Sequence, residues 1–328
     1  MTLLVGIDEA GYGPHLGPLV VAAAAIEVDL PLAPADPFTS PDLWPALQGC
    51  VSKRPAGSKS RVVICDSKVA YAGGNLATLE RTVLGALAAT GVRPQSFADL
   101  LGTLCVKSAA NHGDAGEPWH QPASMPLPQV AAAEEIAKAA AHLVGGLEGL
   151  GGRVAGLWVS TASAQGLNRL MDGQRNKAGA LFALASDLLA EALRQSPAGP
   201  IHITMDRHGG RRYYAELLSG AFPLMPVEPV EEEVEVSRYL LHRDAASPVA
   251  LTVREKCESW SLPTALASMA AKYVRELAMM QLNTYFQARV PGLRATAGYG
   301  LDAWRFLDEV AAVRAADGVP DSQILRSR

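Results

Sequence analysis

The sequence predicts an α/β fold, a mixed sheet flanked by helices, with a helical C-terminal part. Short apolar runs of strand length mix with stretches of helical spacing along 328 residues. The first apolar run, 3–7, is followed by a second, 19–28, across a turn containing Gly11, Gly13 and Gly17, as a hairpin requires. From about residue 260 onwards the pattern is helical.

Each element has its own reason. Residues 3–7 are continuously apolar, read as a buried strand, and deliver Asp8 and Glu9 at the strand end. The stretch 31–59 is rich in Pro, Ser, Ala and Gly, so it reads as an excursion from the sheet with a short helix near 44–47. A short strand at 61–64 runs into Asp66-Ser67-Lys68, and 76–89 has helical spacing. Another short strand is expected at 101–106. With His112, Gly113, Gly116 and four prolines, 109–128 reads as a long loop that could serve as a lid. A helix at 130–147, a strand at 154–159 and a helix at 178–193 follow, the last stopped by Pro197 and Gly199. Residues 201–205 repeat the opening pattern, an apolar strand ending in an acid, Asp206. A helical segment is expected at 211–218, and the acidic run 231–235 reads as a solvated face. A strand pair at 235–241 and 249–255 precedes the longest helical stretch, 262–289, and a final helix spans 302–315. No tandem repeat or biased linker divides the chain. The expected organisation is one domain over 1–328, with insertions around 30–60 and 107–128 and a helical part over about 260–328.

Composition narrows the function. The chain is 49% hydrophobic and 19% charged with a net charge of −4, so nothing draws it globally to nucleic acid. Binding would have to be local, and cations do gather at Lys53, Arg54, Lys59 and Arg61 and at Arg207, Arg211 and Arg212. Solvated surface explains such small groups equally well. Cys50, Cys65, Cys105 and Cys257 are widely spaced without a CxxC pair, which argues for reduced thiols and against structural zinc. The start has no basic segment ahead of a long apolar one, and no apolar stretch reaches about 18 residues. A soluble, cytoplasmic protein is expected, with no membrane association and no obligate protein partner.

Four carboxylates stand out by position: Asp8, Glu9 and Asp206 at strand ends, and Glu258 just ahead of the longest helix. Singly, each has an ordinary explanation as a turn or helix-terminus acid. Together they would suit one or two hard divalent cations such as Mg2+ or Mn2+, which prefer oxygen ligands. Two such ions about 4 Å apart can serve phosphodiester hydrolysis. Without cations the four acids would repel and raise one another's pKa values.

The opening motif, Gly6-Ile7-Asp8-Glu9-Ala10-Gly11-Tyr12-Gly13-Pro14 followed by Gly17-Pro18-Leu19-Val20-Val21-Ala22, resembles the signature of type 2 ribonucleases H, the group of ribonucleases HII and HIII. Further segments match in the family's order. Asp66-Ser67-Lys68 is similar to its D-S-K, Asn168 to its asparagine segment before a helix, and Asn176-Lys177-Ala178 to the HIII branch. Asp206 closes a strand as the third acid does. Lys256-Cys257-Glu258-Ser259 with the helix around Ala265-Leu266-Ala267-Ser268, and Gly298-Tyr299-Gly300, complete the series. Two places depart from the pattern. Tyr12 stands where the family has arginine, and Leu301-Asp302-Ala303-Trp304 follows where it has threonine and histidine.

The resemblance implies a ribonuclease H-like sheet and two-metal endonucleolytic hydrolysis of RNA in RNA–DNA hybrids, leaving 3′-hydroxyl and 5′-phosphate ends. Carried over, Asp8, Glu9, Asp206 and Glu258 become catalytic metal ligands. Gly11, Tyr12, Gly13, Lys68, Asn168, Ser259 and Tyr299 become candidates for substrate contact. Tyrosine in place of arginine keeps a hydroxyl and a ring but loses the charged fork, which bears on recognition of a single-ribonucleotide junction. Two other readings stay open: a nucleic-acid-binding module without turnover, and a two-metal nuclease acting on structured DNA.

Overall fold

A computed structural model describes residues 1–29, 36–55, 60–107, 116–174, 176–195, 199–243 and 248–327. Expectations that fall on 30–35, 56–59 and 108–115, Lys59 and His112 among them, lie outside the described residues.

The chain opens with β1 (Thr2–Ala10) and β2 (Leu19–Val28), then the single turn α1 (Leu43–Ala46) and the short strands β3 (Val51–Ser52) and β4 (Val62–Val63). Next come α2 (Ser67–Ala70), α3 (Ala77–Ala89), α4 (Phe97–Leu104), α5 (Ala133–Glu148) and β5 (Arg153–Ala162). The middle holds α6 (Ala164–Gln174), α7 (Lys177–Gln195), β6 (Ile201–Asp206) and α8 (Ala215–Ala221), followed by β7 (Val227–Glu232), β8 (Val236–Leu241) and β9 (Val249–Arg254). The helical end comprises α9 (Leu262–Gln287), α10 (Gly300–Glu309), α11 (Ala311–Ala316) and α12 (Asp321–Ile324).

Seven strands form one mixed sheet in the order β5-β2-β1-β6-β9-β8-β7. β1, β6 and β9 run parallel at its centre, and the hairpin partner β2 is antiparallel to β1. Strand alternation explains how both faces are covered. Leu4 of β1 joins the core under α3, α5 and α9, whereas Leu3, Val5 and Ile7 join the core under α7. The run Ala22-Ala23-Ala24-Ala25 keeps β2 thin on both faces, and Gly6 lets α9 close in, since a Cβ there would fall 2.0 Å from Thr264 N. A third cluster, built on Phe286, Phe306 and Val310, holds the last helices against the end of α9.

Several expectations are corrected. The strand expected at 101–106 is mostly α4, because the Ser96 hydroxyl accepts from Asp99 N–H at 3.1 Å and Phe97, Leu100 and Leu104 share a helical face. Strand contact there comes from the Cys105–Val159 bridge and the Val106 N–H bond to Val159 O at 3.0 Å. The described part of the expected loop, 116–128, is tied down: Phe97 N–H bonds Met125 O at 2.9 Å and Leu127 N–H bonds Gln95 O at 2.9 Å. The acidic run 231–235 is partly the edge strand β7, paired with β8, rather than a solvated face alone. The helix expected at 211–218 begins only at Ala215 as α8, and the final helix breaks at Val310 into α10 and α11. Helix α6 had no counterpart in the sequence reading. Among the described residues all four cysteines are free, and no helix is long and apolar enough to cross a membrane.

Candidate metal centre

β1 and β6 lie side by side with Gly6 opposite Thr204 and Ile7 opposite Met205. Asp8 and Asp206 are the next residues along, so their carboxylates emerge together where the parallel pairing ends. Glu9 follows immediately, its N–H donating to Asp8 Oδ1 at 2.7 Å. Oxygens of Asp8, Glu9 and Asp206 lie within 4.8 Å of one another.

The fourth acid arrives by a strained turn. After β9 the chain reverses at Lys256, whose φ of 58° makes it the one described non-glycine residue in the left-handed region. This reversal lets Cys257 N–H donate to Asp206 Oδ1 at 3.1 Å and carries Glu258 beside the cluster. Glu258 is half-buried and acts electrostatically on both Glu9 and Asp206, but it stands outside the tight group of three.

Burial governs the charge state. It raises Asp8, 9% exposed, well above the usual carboxylate range, with Glu9 and Asp206 adding repulsion and a hydrogen bond from Ser268 opposing them. Burial and then Asp206 push Glu9 up to about 8. Asp206 is pushed to about 6, again first by burial, while the bond from Cys257 works the other way. Glu258 is raised as well, chiefly by burial. Three converging carboxylates, with Lys68 as the cation that lowers Glu9, form an oxygen-only donor set short of positive charge. That set fits a hard divalent cation.

The other sequence candidates are distributed around this cluster. Asp66 caps α2, its Oδ1 accepting from Lys68 N–H at 2.8 Å, and this sets Lys68 where it acts on Glu9 and Glu258. Ser268 Oγ and Ser67 Oγ share a hydrogen bond at 3.0 Å, so α2 and α9 are tied together next to Asp8. Gly11, with φ of 90°, opens the turn after the acids, where a Cβ would meet Arg275 Nε at 2.6 Å. Gly13 lies beside the Tyr299 ring, which the Arg275 guanidinium overlies at 5.5 Å. Tyr12 packs near Gly209 under the Lys177 ammonium, 5.1 Å from its ring centre. Ser259 is exposed, and its carbonyl accepts from Lys53 Nζ at 3.0 Å, which brings that one cation to the edge of the site.

Asn168 is placed differently. Its Nδ2 donates to Leu325 O at 3.0 Å and to Ser322 O at 3.3 Å, and its Oδ1 accepts from Ser327 N–H at 2.7 Å. The amide therefore binds the C-terminal segment and not the acid cluster.

Two buried arginines escaped the sequence reading. Arg326 Nε donates to Gly17 O at 2.7 Å, and Nη1 donates to the carbonyls of Gly11 and Pro14. Arg275 Nη2 donates to Ala297 O at 3.0 Å. These side chains hold the turn after the acids and the loop of Tyr299 from beneath. No motif marks Arg326, two residues from the end of the sequence, and nothing in the helical spacing of 262–289 singles out Arg275.

The mixed sheet, its antiparallel hairpin partner, the flanking helices and the helical end are the architecture the sequence analysis expected. The fold is α/β. No family model matches the chain, and no curated protein does. Among solved structures, it is similar to the ribonuclease HII of Archaeoglobus fulgidus, from its complex with PCNA, at 17% identity over 99% of this chain and 94% of that one, with a TM-score of 0.43. The ribonuclease H2 of Pyrococcus horikoshii matches at 13% identity over 98% and 92%, TM-score 0.42. Bst-RNase HIII in complex with Mn2+ matches at 16% identity over 99% and 66%, TM-score 0.42. At these scores none of the likenesses bears on the site, which stands on its own geometry.

Proposed function

We propose that the protein is a divalent-metal-dependent endonuclease that hydrolyses RNA in RNA–DNA hybrids, leaving 3′-hydroxyl and 5′-phosphate ends. The reading is carried by the convergence of Asp8, Glu9 and Asp206 at the ends of adjacent strands. These three would hold Mg2+ or Mn2+, two ions in the full site, with Glu258 completing the set at its rim. When bound, such ions supply Lewis-acid stabilisation of the phosphoryl oxygens and of the attacking water.

The chain's own groups bind and orient. Lys68, exposed beside Glu9 and Glu258, is positioned to meet the substrate backbone. The exposed Gly13, next to Gly11 and Tyr12, leaves room for a ribose, whose 2′-hydroxyl separates RNA from DNA. The Tyr299 ring, 46% exposed over Arg275, offers a flat surface to the same strand. Ser259 flanks the cluster on the Glu258 side. Asn168 acts indirectly in this reading, by fixing the segment that carries Arg326.

Cleavage of end-labelled substrates tests the proposal. Mg2+ or Mn2+ should support cutting within the RNA strand of a hybrid, leaving single-stranded RNA and a four-way DNA junction intact. Asp8→Asn and Asp206→Asn should each lower the rate at least about 100-fold. Cutting of the junction alone would move the substrate to structured DNA. Binding without turnover under either metal would make the protein a non-catalytic module.

A further inference from the structure

On the Tyr12 side of the acids, an open cleft is lined by Asn176, His208, Arg211, Arg212 and Tyr213. Its residues lie outside the catalytic constellation, and their chemistry is that of an anion site. Arg207 is paired with Glu255 at 3.8 Å, whereas neither Arg211 nor Arg212 has an ion-pair partner among the described residues. Arg211 Nε is buried without a hydrogen-bond partner. His208, only 1% exposed, presents an equally unpartnered Nδ1. Asn176 Oδ1 accepts from Gly179 N–H at 2.7 Å at the start of α7, a 19-residue helix whose positive end thus borders the same cleft.

Two features separate this cleft from a pocket for a small free anion. It is open, and it is linked to the acids by Tyr12, which lies under Lys177 and is acted on by both Glu9 and Arg211. Tyr213 at its edge is 65% exposed, a flat ring beside two guanidinium groups. Planar, fork-like donors match phosphate oxygens, and an adjacent exposed ring suits a sugar or base face.

We propose that this cleft binds a backbone phosphate of the nucleic acid away from the scissile position, and so sets how the duplex lies across Asp8, Glu9 and Asp206. The identity of the partner rests on the nuclease reading. The anchoring role belongs to Arg211 and Arg212, outside every motif that carries the family resemblance.

The test is fluorescence anisotropy of a labelled RNA–DNA hybrid with the full chain in EDTA, over a salt series, for wild type, Arg211→Ala/Arg212→Ala and Arg211→Lys/Arg212→Lys. Each lost phosphate contact should flatten the plot of log affinity against log salt by about 0.9, so the alanine pair, which gives up one phosphate, should flatten it by about that much. The lysine pair should keep the slope with weaker binding at fixed salt, since lysine keeps the charge and loses the fork. Thermal melts matching wild type show that the alanine variant is folded. Wild-type binding with an unchanged slope in the alanine variant overturns the proposal and leaves the nuclease reading standing. No hybrid binding by wild type overturns both. Inorganic phosphate that displaces the hybrid at matched phosphate concentration would reassign the cleft to small anions and overturn the proposal.

Discussion

Burial pushes Glu9 to about 8 against an ordinary 4.5, and Asp206 to about 6 against 3.8. Both folded-state values are raised, so the folded protein keeps protons that the unfolded chain has already released. The stability this provides is complete below about pH 4 and is lost as pH rises through 6 and 8. His208 works in the opposite direction. Burial lowers it to about 3 from 6.5, so its contribution is lost as pH falls below about 6.5. A difference measurement isolates the acids. In metal-free protein Glu9→Gln should melt about 3–8 °C above wild type at pH 8, with the gap closing towards pH 4. Mn2+ should raise the wild-type melting temperature more at pH 8 than at pH 5 and leave Asp8→Asn nearly unmoved. A gap that is constant across pH would mean that Glu9 is already solvated.

The turn from Gly11 to Gly17 does not hold itself. Its carbonyls at Gly11, Pro14 and Gly17 are bonded by Arg326, a residue 309 positions or more away. Burial and the neighbouring Arg275 push the Arg326 guanidinium down to about 9, still charged at neutral pH. Arg326→Ala would leave buried carbonyls without donors and should cost about 3 kcal/mol. Arg326→Lys should recover only part of that, because one ammonium cannot reach three carbonyls as a fork does. Denaturant unfolding measures the stability loss, and the midpoint of Mn2+ titration should rise in both variants. A second buried clamp fixes the residues just ahead of α5, 129–131. The Glu80 carboxylate, 0% exposed, accepts from the N–H groups of Gln129, Val130 and Ala131 at 2.7 Å and from Tyr273 Oη at 2.8 Å. Glu80→Ala should therefore cost roughly 3–5 kcal/mol, read by the same unfolding curves, with Glu80→Gln costing less.

At the scale of the whole molecule, the sheet and its acids were legible because they are local in sequence. The apolar runs of β1, β2, β6 and β9 announce themselves, and Asp8, Glu9 and Asp206 stand at or near their ends. What brings them together, the parallel register of β1 against β6, spans nearly 200 residues and has no local signal. Glu258 stood out by its position ahead of the longest helix, but its place at the rim depends on the left-handed Lys256. The strand expected at 101–106 failed because Ser96 caps a helix whose apolar face mimics a short buried run. Asn168 and Arg326 show the limit most plainly, since each is understood only through the other's segment. The same holds for Lys53, which the insertion delivers to Ser259 across 206 residues.

The central claim is that Asp8, Glu9 and Asp206 jointly hold divalent cations. Crystals soaked in Mn2+ and measured at the manganese absorption edge test it most directly. Anomalous peaks bridged by oxygens of Asp8, Glu9 and Asp206, a second one drawing in Glu258, are the predicted result. Manganese absent from these three carboxylates at saturating concentration, with Glu9 and Asp206 in place, would contradict the account.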